Sequence, residues 1–304
     1  MERRVAYHNG RWAPLDETSM ALDDWGLLQG ATLVERMRTV AGRPLDAAEH
    51  LDRLRSSAKV LGIHWPESLN DSLVEQCVAR NESAHRGVDG RSRDFGVVVL
   101  LTPGRAGAAP AGHQPTVMAH TADLHWSALA HWYQHGQALV TASNRNVPGA
   151  CWSPHLKTRS RMHYFLADQQ AAASGRAHAG AAMLSLEGHL TESSVANILV
   201  VDHHGLISPP IDSVLHGLSL RRTLRLAHRL NIPVRFEPIA ISVARSAQAI
   251  IMTGSSGCLW PASHLDEIEF SSPSSHDLFT TLRDAWIEDI QLDFPAQAIE
   301  EAKY

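Results

Sequence analysis

Lys157 is the residue of this sequence whose type and position first suggest covalent chemistry. The chain has 27 lysine and arginine residues, and only Lys59, Lys157 and Lys303 are lysines. A desolvated lysine can lose its proton and act as a nucleophile or form a Schiff base, whereas arginine keeps its charge. Lys157 follows Pro154 and precedes a helical pattern. The alternative is an ordinary lysine on the exposed first turn of that helix.

Glu192 is a second residue with chemical potential. It lies in LTESSVANILVVD, residues 190–202, at the start of a strand-like run that follows a turn. A carboxylate placed against a heterocyclic nitrogen favours the protonated form of that nitrogen. The structural alternative is a surface or capping carboxylate, because glutamate is seldom buried without a partner.

Three further features suit an anion such as phosphate. Gly217 precedes Ser219 and a helical pattern, and a helix start offers backbone N–H groups and the positive end of its dipole. The segment MTGSSG turns after a strand and carries the hydroxyls of Ser255 and Ser256. Arg53, on a predicted helix, can supply positive charge. Each feature also has a plain structural interpretation, as a cap, a turn or a surface arginine.

An amine, a carboxylate, an arginine and two phosphate-suited turns are together the groups that pyridoxal 5'-phosphate requires. The chain resembles the class IV aminotransferases, the fold type IV enzymes that include branched-chain aminotransferases, D-amino-acid aminotransferases and 4-amino-4-deoxychorismate lyase. The resemblance runs from about Tyr7 to about Asp266. Seven segments carry it in the family order: HNGRW, DDWGLLQGATLVERMR, EHLDRLRSSAKVLGI, HLK, GHLTESSVANILVV, ISPPIDSVLHGLSLR and IIMTGSSGCLWP.

The resemblance implies a site and a fold. Lys157 would form the Schiff base with pyridoxal phosphate, and Glu192 would pair with the pyridine nitrogen. The phosphate would be bound by Arg53, by the backbone of Leu218 and Ser219, and by the turn at Ser255 and Ser256. The expected fold class is α/β (α+β), with a small N-terminal α/β domain and a larger C-terminal domain with a barrel-like sheet. Family members are usually homodimers or larger assemblies.

The resemblance also implies a reaction, with alternatives. The first hypothesis is an aminotransferase that moves an amino group between a small amino acid and a 2-oxo acid, with branched-chain amino acids a common family substrate. The second is a 4-amino-4-deoxychorismate lyase that releases pyruvate, and a third is a D-amino-acid aminotransferase. A non-catalytic binding protein on the same fold is the hypothesis from another class.

The sequence departs from the branched-chain pattern just after Lys157. Branched-chain enzymes carry a tyrosine near the cofactor hydroxyl, but Met162 takes that position by count and Tyr164 comes two residues later. Arg161 aligns with an arginine typical of the lyase subgroup. The substrate-binding candidates are Arg38, Arg105, His113, Arg161 and Tyr164; for Arg38 the alternative is a strand residue paired across a sheet.

The chain length of 304 residues predicts two domains. Composition shifts near residue 121, which divides the chain into residues 1–121 and 122–304. Helical periodicity predicts helices over residues 47–63, 66–80, 160–174, 219–230 and 275–289, with strands between most of them. The stretch at 121–134 shows no clean period, and the acidic tail is expected to fray.

Charge and composition exclude several classes of function. The net charge of -5 and the lack of a basic run give no support for nucleic-acid binding. We also expect no membrane span, since no apolar run approaches about 20 residues, and no signal peptide. Three widely spaced cysteines predict a reducing cytoplasmic setting. The 19 histidines form no HExxH or CxxC pattern, so no metal site is expected.

Overall fold

The chain folds into two compact units whose boundary is crossed by one short segment. The computed structural model describes residues 3–87, 90–107, 114–271 and 273–304. The first unit consists of Met1–Leu124 and Leu156–Ser160, and the second of His125–His155 and Arg161–Tyr304. The sequence predicted a single division after residue 121. The structure differs chiefly in the segment that contains Lys157, because its backbone bonds to a strand of the first unit.

The first unit combines one β-sheet with α-helices. Its strands are β1 (Val5–His8), β2 (Arg11–Pro14), β3 (Leu33–Val40), β4 (Arg43–Pro44), β5 (Gly96–Thr102) and β6 (Thr116–Ala122). Its helices are α1 (Trp25–Leu28), α2 (Ala47–Val60) and α3 (Asp71–Asn81). The described strands form one antiparallel sheet in the order β2-β1-β6-β5-β3-β4.

Local sequence signals account for the main elements of the first unit. Asn9 and Gly10 have φ angles of 43° and 90°, as a two-residue hairpin turn between β1 and β2 requires. Leu51, Leu54 and Ala58 are buried at helical spacing on α2, whose opposite face is exposed. The predicted helix at 47–63 is therefore present and ends a few residues early.

The second unit is larger. Its strands are β7 (Gln137–Arg145), β8 (Gly180–Leu184), β9 (His189–Leu190), β10 (Asn197–Asp202), β11 (Gly205–Ser208), β12 (Val234–Phe236), β13 (Ile239–Ala240), β14 (Ala249–Gly254), β15 (Cys258–Leu265) and β16 (Ile268–Glu269). Its helices are α4 (Trp126–His135), α5 (Met162–Ala172), α6 (Leu218–Arg229), α7 (Ile241–Arg245), α8 (Asp277–Ile290) and α9 (Phe294–Glu301).

The sheet of the second unit is open and mixed. Its described strands follow the order β12-β11-β10-β14-β15-β7-β8-β9-β13, with β16 paired to β15. The pairs β7–β8, β7–β15 and β11–β12 are parallel, and the others are antiparallel. The predicted fold class, with a barrel-like sheet in the larger part, is confirmed.

Two segments of the second unit differ from the sequence expectations. Residues 126–135 form α4, although the stretch showed no clean period, because its apolar face is built from small and aromatic residues such as Ala128 and Tyr133. The expected frayed tail contains α9, whose Phe294 and Ala298 are fully buried. Phe294 lies 5.4 Å from Tyr133 of α4, measured between ring centroids. A few apolar side chains thus anchor an otherwise acidic segment.

Among the helices of the described residues, none is both long and apolar enough to cross a membrane. Within the same residues, no three His, Cys, Asp or Glu side chains are grouped in a way that could hold a metal ion.

Candidate active site

The Lys157 segment is held against β3 in the first unit. The backbone N–H of Val34 donates to the carbonyl of Lys157 at 2.9 Å, and the N–H of Arg159 donates to the carbonyl of Thr32 at 2.8 Å. The hydroxyl of Ser160 adds a bond of 2.8 Å to the carbonyl of Gly30. Lys157 is half-buried. The backbone around Lys157 is therefore hydrogen-bonded alongside β3 in the manner of a short additional strand. Lys157 is not an ordinary lysine on the exposed first turn of α5.

Arg53 lies in the same unit and belongs to a buried cluster of charged groups. Its Nε and Nη2 atoms donate to the two carboxylate oxygens of Glu35 at 2.7 Å and 2.6 Å. His50 Nδ1 lies 2.6 Å from Glu35 Oε2. Burial by itself would raise the pKa of Glu35, but the charge and hydrogen bonds of Arg53, and then those of His50, lower it to about 2. Because an ionised carboxylate can only accept, Nδ1 of His50 carries the proton.

The depressed pKa of Glu35 predicts a specific loss of stability in acid. A carboxyl group with a lowered folded-state pKa contributes stability that is present above its unfolded pKa and is lost as the pH falls towards its folded pKa. The unfolded value is near 4.3, so between about pH 4.3 and pH 2 the protein should lose roughly 3 kcal/mol from this group. Urea unfolding at a series of pH values would measure it. Glu35→Gln should flatten this part of the profile, and an unchanged slope would contradict the assignment.

Glu192 lies in the second unit, buried between β9 and β10 and surrounded by hydrogen-bond donors. The phenol of Tyr164 donates to Glu192 Oε1 at 2.9 Å. Oε2 accepts from the side-chain amide of Asn197 at 3.3 Å and from the backbone N–H of Leu215 at 3.2 Å. Three donors on a buried carboxyl group favour its ionised form. The chain thus builds a buried negative charge at this position, which rules out a surface carboxylate.

Tyr164, at the start of α5, contacts this carboxylate, and Arg161 packs against the Tyr164 ring. Burial, followed by the charge of Glu192, raises the pKa of Tyr164 well above its usual value, so the phenol stays a neutral donor. The guanidinium of Arg161 lies 4.6 Å from the centroid of the Tyr164 ring and donates to the carbonyl of Ser194. In the branched-chain pattern the tyrosine comes two residues closer to the lysine than Tyr164 does here. Tyr164 nevertheless contacts Glu192.

Asn197 connects Glu192 to the start of α6. Its amide also donates to the carbonyl of Leu215 at 2.9 Å. Gly217 is the N-cap of α6, and no described side chain caps this helix. The first N–H groups of α6, at the buried residues Leu218 and Ser219, have no partner within the helix and point beyond its N-terminus.

The turn at Ser255 and Ser256 is tied to α6 through two threonines. Thr253, at the end of β14, donates to the carbonyl of Cys258 at 2.8 Å and closes the turn. Its hydroxyl lies 3.3 Å from that of Thr223 on α6. The second unit thus brings together two of the predicted phosphate-binding features. Backbone N–H groups and hydroxyls are a donor set that fits a phosphate, and the Glu192 carboxylate fits a protonated ring nitrogen.

Replacement of Gly217 by alanine is predicted to disturb both parts of this arrangement. An added Cβ would overlap Oδ1 of Asn197, and the amide nitrogen of the same side chain donates to Glu192. Overpacking of this kind costs about 1–3 kcal/mol, so Gly217→Ala should lower the melting temperature. Gly149→Ala is the matched control, because its Cβ would meet nothing closer than 3.7 Å. Equal melting temperatures for the two variants would contradict the prediction.

The other candidate residues for substrate binding have different placements in the first unit. Arg38 is fully buried on β3, paired with Gly96 across the sheet, and its Nε donates to the carbonyl of Thr39 at 3.1 Å. Arg105 is largely exposed and forms a bidentate pair with Asp23. His113 lies outside the described residues. The role of these residues towards a substrate carboxylate stays a prediction.

Three residues of these clusters were not singled out from the sequence. Glu35 contacts Arg53, His50 contacts Glu35, and Asn197 contacts Glu192. Glu35 and Asn197 had a signal, since each is a polar residue that adjoins apolar residues within a predicted strand: Glu35 follows Leu33 and Val34, and Asn197 precedes the run from Ile198 to Val201. His50 had none, because a histidine on an amphipathic helix is ordinary.

The sequence matches a known family over most of its length. The model of the family described as "Amino-transferase class IV" matches residues 32–265. A putative branched-chain-amino-acid aminotransferase of Methanocaldococcus jannaschii is 27% identical over 265 residues, covering 86% of this chain and 87% of the relative. A D-alanine aminotransferase of Bacillus licheniformis is 23% identical over 268 residues, with coverages of 85% and 87%.

Solved structures share the fold at low sequence identity. The branched-chain amino acid aminotransferase of Escherichia coli has a TM-score of 0.80 at 21% identity and covers 94% of each chain. The Thermus thermophilus enzyme, complexed with N-(5'-phosphopyridoxyl)-L-glutamate, has a TM-score of 0.79 at 21% identity and covers 95% of each chain. A putative 4-amino-4-deoxychorismate lyase of Legionella pneumophila has a TM-score of 0.74 at 22% identity, covering 90% of this chain and 96% of its own.

Proposed function

The chain belongs to the class IV aminotransferases, and on that premise we propose that it transfers an amino group between a small amino acid and a 2-oxo acid with pyridoxal 5'-phosphate as cofactor. Branched-chain amino acids are the first candidates for the donor, since the Methanocaldococcus jannaschii relative is named for them. The enzyme class follows from the family. The cofactor attachment and the substrate are the parts that we propose.

The roles proposed for individual residues follow from their chemistry. When bound, the cofactor supplies an electron-withdrawing ring that stabilises negative charge on the substrate Cα. Lys157 would attach the cofactor covalently and, once released from it, carry the proton to and from that Cα. Glu192 would keep the ring nitrogen protonated. The phosphate would be bound by Arg53, the backbone of Leu218 and Ser219, and the turn at Ser255 and Ser256.

The environment of Glu192 is the observation that carries this proposal. A buried carboxylate held by three donors is expensive to maintain unless its charge is used or well compensated. Tyr164, Asn197 and the Leu215 N–H donate hydrogen bonds to this carboxylate. Leu215 lies shortly before Gly217, the N-cap of α6, where no described side chain caps the helix. A protonated nitrogen heterocycle with a phosphate group is the ligand that this pair of features suits.

A lyase is the second candidate, favoured by the placement of Arg161. This arginine takes the position typical of the lyase subgroup, and it lies over Tyr164, the phenol that bonds to Glu192. In a 4-amino-4-deoxychorismate lyase, the same negative charge on the substrate would expel pyruvate instead of accepting a proton at the cofactor carbon. A D-amino-acid aminotransferase is the third candidate, in line with the Bacillus licheniformis relative.

We further propose a cytoplasmic homodimer. The three cysteines all lie within the described residues, and none of them forms a disulfide, as expected of thiols in a reducing compartment. The dimer rests on the family resemblance. Light scattering of the purified enzyme measures its mass directly, and a monomer with full activity would contradict this part of the proposal.

An amino-donor screen on the purified holoenzyme tests the function. L- and D-forms of small and branched-chain amino acids are supplied with and without a 2-oxo acid acceptor, and pyruvate is measured in parallel after addition of aminodeoxychorismate. Acceptor-dependent amino transfer supports the transferase, and its preference for L- or D-donors separates the first and third candidates. Pyruvate release without an acceptor supports the lyase. A protein that binds no pyridoxal phosphate, seen as no visible absorbance, contradicts all of them.

A further inference from the structure

Strand β3 of the first unit contacts both the Lys157 segment and the Arg53 side chain. Residues 30–34 bond to residues 157–160 through Val34 N, Arg159 N and the Ser160 hydroxyl, at 2.8–2.9 Å. The next residue of β3, Glu35, accepts two hydrogen bonds from the guanidinium of Arg53. Successive residues of one strand therefore fix the backbone of the lysine and the side chain of the arginine.

We propose that Glu35, supported by His50, is a positioning residue that holds Arg53 for the cofactor phosphate and, through β3, sets its distance from Lys157. This inference rests on the proposed function, because it takes Arg53 as the phosphate ligand and Lys157 as the covalent attachment.

The geometry of the Arg53–Glu35 pair supports a positioning role. The carboxylate binds the guanidinium along the edge formed by Nε and Nη2, in a bidentate arrangement that fixes the plane of the group. A long arginine side chain otherwise samples many rotamers, and a phosphate would have to order it on binding. Glu35 thus orders Arg53 before the phosphate arrives.

His50 fixes the carboxylate in turn. His50 and Arg53 are three residues apart on α2, so both side chains lie on the same face of the helix and meet Glu35 together. The Nδ1–H of His50 donates to Oε2, which prevents the carboxylate from rotating away from the guanidinium. Helix α2 is therefore joined to β3 by three hydrogen bonds to one carboxylate, two from Arg53 and one from His50.

Stability alone does not account for this cluster. Glu35 and His50 have side chains that are only 1% and 3% exposed, and Arg53 is 11% exposed. Removing such charges from water offsets most of their mutual attraction, so apolar residues of similar volume would serve a purely structural role as well. A binding role for Arg53 explains why the face of β3 that carries the apolar Leu33 and Met37 also carries a glutamate.

The test compares cofactor forms with and without the phosphate. Apoenzyme of the full chain is titrated with pyridoxal 5'-phosphate and with pyridoxal, and binding is followed by visible absorbance. Glu35→Gln should weaken pyridoxal phosphate binding by about tenfold, the usual effect of losing a charged hydrogen bond, and should change pyridoxal binding by less than about twofold. Glu49→Gln replaces an exposed glutamate on α2, the helix of Arg53; it is the matched control and should match the wild type in both titrations.

Arg53→Gln separates failure of this inference from failure of the proposed function. If Arg53→Gln loses the preference for the phosphorylated form and Glu35→Gln keeps it, the phosphate assignment stands and the positioning role is overturned. If Arg53→Gln keeps the preference, both are overturned. Equal weakening of both ligands by Glu35→Gln would also overturn the inference, since it indicates a general structural effect. Should Glu35→Gln not fold, Glu35→Asp keeps the charge, shortens the reach to Arg53, and should show the same selective loss.

Discussion

Lys157→Ala is expected to abolish amino transfer and the visible absorbance that a covalently bound cofactor would give. Alanine removes both the amine that would attach the cofactor and the base that would move the substrate proton. Loss of a positioned general base alone reduces turnover by about 10²–10⁴-fold. Because the attachment of the cofactor would be lost as well, we expect a loss of at least about 10³-fold. Steady-state rates with the best donor from the screen, together with the absorption spectrum after dialysis, measure both effects.

The control for this variant is Lys59→Ala. Lys59 is exposed on α2, and its replacement should leave both the spectrum and the rate unchanged. Melting temperatures of the two variants should be close, because the segment around Lys157 is held by backbone bonds that alanine keeps. A Lys157→Ala protein that retains a bound yellow chromophore and full activity would show that the lysine has been misassigned.

Local sequence signals predicted much of the fold, and the elements that escaped depend on distant partners. The Asn9-Gly10 turn and the helical spacing of the apolar residues in α2 are determined by residues close together in the sequence. Strand β13, by contrast, has two residues and exists through its pairing with β9, which lies about fifty positions earlier in the chain. Nothing in two consecutive residues specifies such a partner.

For the candidate site, the sequence suggested individual residues but not the contacts that the structure gives them. Lys157 stood out because the chain uses arginine for nearly all of its other basic residues, and Glu192 because it opens a strand-like run. The spacing of Tyr164 suggested a departure from the family, yet its phenol bonds to Glu192 because the two residues are brought together by α5 and β9. The bond between Glu35 and Arg53 likewise joins a strand to a helix, so no spacing rule within either element reveals it.

Glu192→Gln is expected to lower turnover strongly while leaving the fold and the bound cofactor in place. The amide keeps the size of the side chain and can keep its contacts: its oxygen can accept from Asn197 and Leu215, and its NH₂ can donate to the Tyr164 hydroxyl, which can also accept. What is lost is the negative charge that would hold the ring nitrogen protonated. Removal of one such electrostatic interaction costs on the order of 10²-fold in kcat.

Tyr164→Phe is the comparison that separates charge from hydrogen bonding. It removes one donor to Glu192 but keeps the carboxylate, so its kcat should fall by about tenfold at most. Rates for both variants, normalised to cofactor content from absorbance, give the two values. If the charge of Glu192 is what matters, the glutamine variant must be the slower of the two at equal cofactor content. The reverse order would mean that the phenol itself acts on the reacting groups, and Glu192 would then serve mainly to hold Tyr164.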